Sequence, residues 1–181
     1  MKSIIKPSHC FAALAAVAVS LTAVAAEPDY TKPGYTAKAD GLSHADASFI
    51  EKAAKLGHKE VAVSEGALPR LITPAARDFA QTVIKDHGSI ADDLQALATK
   101  KGVVLPVKDA DIVKEWDKKD KKDALDEAYW AEMVSDHKDA VDLFEKAVKS
   151  KDVDVATFAA KTLPTLRHHL EVAKAQKKLA K

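Results

Sequence analysis

Two stretches of this chain, fifty residues apart, repeat one pattern. Phe79, Val83, His87, Ile90, Leu94 and Leu97 recur at intervals of three or four, and Tyr129, Met133, His137, Ala140, Phe144 and Ala147 repeat them position for position. That spacing puts each set on a single face of an α-helix. It cannot be the face of a strand, whose side chains alternate with a period of two. Each stripe carries a histidine at its centre, and each histidine follows an aspartate, Asp86 or Asp136.

Two further segments have the same periodicity. Phe49, Ala53, Leu56, Glu60, Val63 and Ala67 form one row, interrupted by a glutamate; Phe158, Thr162, Leu166, His169 and Ala173 form another, with His168 one step round. End signals delimit the helices. Ser43 with Asp46 opens the first, which runs to about Leu68. Thr73 and Pro74 open the second, which Gly102 stops. Asp123 caps a third helix to about Lys149, and Asp152 a fourth that runs nearly to the end, with a kink expected at Pro164. The first two helices and the last two are joined by short links and should form antiparallel hairpins. The middle link, 102–123, has about 22 residues and could stretch roughly 70 Å, whereas a 28-residue helix is only about 42 Å long. It can cross the whole bundle, with a short helical turn around Ile112 to Trp116. One long crossover between two hairpins is ferritin-like wiring; plain up-down wiring with a long loop is the alternative. The predicted class is all-α, a ferritin-like four-helix bundle over 43–181.

Glu60, His87, His137 and His169 all fall near the middle of their helices, and helix midpoints share one height in a bundle. Burying a lone carboxylate or imidazole is unfavourable, so four together call for mutual hydrogen bonds or a metal ion. Imidazole and carboxylate suit iron, zinc, manganese or copper, and bundle cores recurrently host such sites. These four residues are the candidate metal ligands. The competing reading is structural: His87 with Glu60, or His137 with His169, pair and fix the bundle's register. Asp86 and Asp136 stand about 100° off the stripes and are read as partners behind the ligands or as surface groups. Trp116 and Trp130 are read as packing anchors. The Glu-x-x-His pairs of di-iron bundles are absent, as are a nucleophile elbow and a glycine-rich phosphate loop.

The first 26 residues read differently. Lys2 and Lys6 precede an apolar run from Cys10 to Ala26 that ends on small residues, the pattern of a secretory signal cut near Ala25 or Ala26; a retained anchor is the alternative. Residues 27–42, with Pro28, Pro33, Gly34 and Gly41, read as a flexible leader. Removing the signal takes two lysines and no acid from a chain of net charge +1, leaving about −1. Such a balance gives no electrostatic footprint for nucleic acid. Cys10, the only cysteine, leaves with the signal, so no disulfide is expected even in an oxidising compartment. No other stretch is apolar enough to span a membrane.

The segments FAQTVIKDHGSIADDLQALATKKGVVLP, YWAEMVSDHKDAVDLFEKAV and FAAKTLPTLRHHLEVAKAQ resemble the second, third and fourth helices of a bacterial family, domain of unknown function 4142. The likeness covers roughly 45–178 and is carried by the paired Asp-His motifs, Leu163-Pro164 and His168-His169. It implies an exported, ferritin-like bundle of a kind often labelled an outer membrane protein, and it supplies no activity, substrate or ligand set. The Lys/Asp-rich run before the third helix departs from the family. The function expected from the sequence is therefore a non-catalytic binding or structural module of the cell envelope, partnered by an envelope protein or by another copy of itself. The alternative is a transition-metal-binding bundle for storage, sensing or redox chemistry.

Overall fold

The computed structural model describes residues 41–106 and 125–179. Helix α1 spans His44–Ala67, α2 Pro74–Lys101, α3 Leu125–Ala147 and α4 Val153–Leu179. The ends follow the local chemistry. The Ser43 side chain accepts from the Asp46 N–H, and its own hydroxyl donates to the Asp46 carboxylate. Thr73 Oγ1 accepts from the Ala76 N–H, with Pro74 in the first turn. Gly102 takes φ 67°, the left-handed turn that a side chain would resist, and so closes α2. Asp152 Oδ1 accepts from the Asp154 and Val155 N–H groups at the head of α4. That helix runs unbroken through Pro164. The signal, most of the leader, the Asp123 cap, the Ile112–Trp116 turn and Trp116 lie outside the described residues.

Three contacts between helix ends fix the wiring. Ser150, just after α3, donates to Asp46 at the start of α1, so those helices are antiparallel. Lys100 and Lys101 at the end of α2 reach Asp154 and Asp152 at the start of α4, so those are antiparallel too. The Thr73 N–H and hydroxyl and the Ile72 N–H donate to Asp126 in the first turn of α3, so α2 and α3 begin at the same end. A chain leaving α2 at one end must therefore return the length of the bundle before α3 begins. This is the ferritin-like arrangement of two hairpins joined by a long crossover.

The stripes face inward as the spacing requires, with Ile90 and Leu56 at the margin. They form two apolar clusters stacked along the bundle. One gathers Phe49, Ile50, Leu94, Phe144, Phe158 and Leu166; the other gathers Val63, Leu71, Phe79, Tyr129, Trp130 and Met133. Trp130 packs its ring against Phe79 at 5.0 Å, as a packing anchor should. Among the described residues no helix is long and apolar enough to cross a membrane.

Candidate metal centre

Between the two apolar clusters lies one polar layer. Glu60, His87, His137 and His169, one from each helix, are all at or below 2 % exposure. Their helix positions bring them to the same height, and the His87 ring lies over Gly57, one turn from Glu60, with Nδ1 3.9 Å from where a Cβ would stand. The three imidazoles each offer a nitrogen to a common space, all within 4.8 Å of one another. Their ring centroids are 5.2 to 5.5 Å apart.

The hydrogen bonds behind the rings decide which nitrogens those are. His137 Nδ1 is 2.9 Å from the Met133 carbonyl, which can only accept, so the proton of a neutral ring sits on Nδ1 and the lone pair on Nε2. His169 Nε2 is 3.0 Å from Asp86 Oδ2, which places that ring's proton on Nε2 and its lone pair on Nδ1. These two lone-pair atoms face each other at 3.2 Å. His87 points Nδ1 at Glu60 Oε2, 3.0 Å away, and its Nε2 is buried without a hydrogen-bond partner.

Glu60 stands behind the rings. Its Oε1 is 3.5 Å from His137 Nδ1 and its Oε2 is the His87 neighbour, but neither oxygen has an aligned donor. Of the four sequence candidates, the structure gathers three histidine nitrogens around one point and sets Glu60 against their far side. The two aspartates divide. Asp86 is partly exposed and bonds His169, whereas Asp136 is buried at 4 % and pairs with Lys59 from α1. Its burial was not evident from the helical angle, because the lysine that compensates it is 77 positions earlier.

Electrostatics in the layer follow from its dryness. Burial pushes the Glu60 carboxyl well above the usual range, and the nearby Asp136 charge adds to this. Burial lowers His87 to about 3, with His137 and His169 contributing. Burial also lowers His137 to about 4, helped by His169. His169 is lowered by burial and partly restored by Asp86. Although His87 and Glu60 stand at ion-pair distance, these directions make them a neutral pair when nothing else is present, and we favour the neutral description because both groups are fully desolvated.

Neutral rings leave the layer unsatisfied. If Glu60 carries a proton and gives it to His87 Nδ1, the proton on His87 Nε2 finds no acceptor. If Glu60 is ionised, the Nε2 lone pair finds no donor. A proton shared between His137 and His169 would ease their opposition, but both rings are held below the ordinary histidine range and His87 would stay unmet. One cation accepting all three lone pairs would meet these three nitrogens together. Two nitrogens on a tetrahedral ion at 2.0–2.1 Å are about 3.3 Å apart, and the His137–His169 pair already stands at 3.2 Å. Behind the rings, Glu60 and Asp86 carry two carboxylates, enough to balance a divalent charge. Carboxylates and carbonyls in this position orient metal-bound imidazoles.

The chain belongs to a family described as a domain of unknown function, DUF4142, whose sequence model matches residues 31–175. Its fold is similar to that in the crystal structure of a DUF305 fragment from Deinococcus radiodurans, with a TM-score of 0.62 and 11 % identity, over 75 % of this chain and 97 % of that one. At that identity the likeness concerns the fold. No curated protein matches the chain.

Proposed function

We propose that this member of the family binds one divalent late transition-metal ion, zinc or copper, in the middle of its bundle. The ligands are His87 Nε2, His137 Nε2 and His169 Nδ1. Glu60, the Met133 carbonyl and Asp86 hold the rings in the right tautomers and neutralise the charge. The observation that carries this reading is the 3.2 Å approach of two lone-pair nitrogens beside a third buried nitrogen with no partner. Neutral imidazoles suit zinc and copper, and the apolar clusters on either side keep the site dry. Such a centre suits holding or sensing a metal. We propose no reaction at it. The sequence reading of an exported bundle stands beside this as part of the proposal, on the strength of the N-terminal pattern alone.

The direct test is metal analysis. Protein stripped with a chelator, loaded with zinc or copper and desalted should retain one ion per chain. His137→Ala and His87→Ala should retain far less, while circular dichroism shows that they keep their helices. Retention well below one ion per chain in the wild type would reject the reading. So would unchanged retention in both variants.

A further inference from the structure

The seam between α1 and α3 carries a second polar set that the centre does not use as ligands. Lys59 precedes Glu60 on α1. On α3, Asp136 precedes His137, and Glu132 lies one turn earlier. The Lys59 ammonium sits between the two acids, 2.9 Å from Glu132 Oε1 and in close contact with Asp136 Oδ1. Exposure falls steadily inward: 34 % and 26 % for the Lys59 and Glu132 side chains, 5 % for Asp136, then 1 % for Glu60 at the histidines.

Two observations set this apart from an ordinary surface ion pair. Asp136 Oδ2 is buried with no hydrogen-bond partner, and Glu60, the next carboxyl inward, meets only the His87 and His137 rings, without an aligned donor. Leaving a buried carboxyl oxygen unmet at Asp136 is costly if the seam is only structural. Asp136 also acts electrostatically on Glu60, with Lys59 partly offsetting it, so the outer ion pair and the inner carboxyl belong to one electrostatic set. Carboxyl oxygens thus run in series from solvent to the histidine layer, with one tethered ammonium at their outer end.

We propose that this seam is the path by which the metal ion reaches and leaves the histidines, with Glu132 and Asp136 as successive stations and Lys59 as a cationic plug. The inference rests on the metal-centre reading. A hydrated divalent ion gives up its water in steps, and oxygen ligands placed in series let it do so without crossing a bare apolar barrier. Lys59 is suited to the role because its stem is flexible and its head is partly in water. It can swing outward with no helix movement. Glu60, behind the His87 and His137 rings, is the last oxygen on the path, and the ion passes the edges of these rings to reach the three nitrogens.

Stopped-flow mixing of chelator-stripped protein with zinc measures uptake, and a competing chromogenic chelator measures release. The variants are Lys59→Met, Asp136→Asn and the more exposed Glu132→Gln, which keeps the test intact should Asp136→Asn fail to fold. All should still hold one ion per chain. Lys59→Met should speed both uptake and release by about tenfold, the order expected from removing one charge at contact distance in a partly screened site. The two acid variants should slow both. A path changes both rates together, whereas a through-space charge effect changes their ratio. Unchanged rates at full stoichiometry overturn the path and leave the centre standing, as do rates that respond only to Asp86→Asn on the opposite side of the bundle. Failure of the wild type to hold zinc overturns both, and it shows in the stoichiometry before any rate is compared.

Discussion

Nε2 of His137 and Nδ1 of His169 face each other at 3.2 Å, each on a ring whose other nitrogen is already committed to an acceptor. Within a core this dry, two opposed lone pairs are a conflict that protein groups alone do not settle. The remaining features of the layer point the same way: His87 Nε2 without a partner, Glu60 oxygens without an aligned donor, and the Asp86 carboxylate behind His169. From this relationship the predictions follow by proton and charge accounting.

Metal binding should release protons. Burial holds the Glu60 carboxyl in its neutral form beyond the ordinary carboxylate range, and a cation among the histidines would favour its ionised form. Affinity should therefore rise with pH up to the raised Glu60 pKa, by about tenfold per unit for each proton released. Calorimetric titrations in buffers of differing ionisation heat count those protons. No proton release below that pKa would contradict the account.

Acid should destabilise the metal-free protein. His87 and His137 titrate near 3 and 4 when folded, against about 6.5 in an unfolded chain. The folded state resists protons that the unfolded state accepts. Stability is then present in full above about 6.5 and falls as pH drops toward 4 for His137 and toward 3 for His87, by up to about 1.4 kcal/mol per unit for each ring. Glu60 works the other way. Its raised carboxyl favours the folded state at low pH and loses that benefit as pH rises through the folded value. Two rings outweigh one carboxyl, so urea unfolding at pH 7, 5.5 and 4.5 should show net loss on acidification. His87→Leu should flatten the slope.

The stripes and ends were legible because they depend on spacing and local chemistry. Ser43, Thr73, Pro74 and Gly102 act on neighbours within four residues, and a period near 3.6 decides which side chains turn inward. The shared height of His87, His137 and His169 followed from their mid-helix positions. What the sequence could not show was the direction of each ring. That depends on the Met133 carbonyl one turn back and on Asp86 from another helix. Glu60 could be placed in the layer, but not on the far side of the rings. Asp136 lies off its stripe and is nonetheless buried, because α1 packs over that flank and brings Lys59 to it.

Residues behind the ligands should tune affinity without being needed for folding. Glu60→Gln keeps the shape of a group held neutral in the metal-free protein, so its stability should change by less than about 1 kcal/mol. Zinc affinity should fall about 10- to 100-fold, the usual cost of losing an outer partner. Asp86→Asn should weaken binding by the same order. Competition against a chelator of known affinity measures both. A Glu60→Gln protein with undiminished affinity would mean that the carboxylate plays no part in balancing the ion.

The glycines of α2 separate by conformation. Gly88 lies mid-helix and exposed, with nothing within 4 Å of a built Cβ. Gly88→Ala should stabilise the fold by about 0.5–1 kcal/mol through helix propensity. Gly102 sits at φ 67°, so Gly102→Ala should destabilise by about 1 kcal/mol. Thermal unfolding of the two variants should move in opposite directions.

The most direct measurement of the central claim is nitrogen-15 NMR of histidine-labelled protein before and after one equivalent of zinc. In the metal-free state, His137 should carry its proton on Nδ1 and His169 on Nε2. On addition of zinc, His87 Nε2, His137 Nε2 and His169 Nδ1 should shift together to values typical of metal-bound imidazole. Spectra that zinc leaves unchanged, or that place the proton of His137 on Nε2 and that of His169 on Nδ1, would contradict the account.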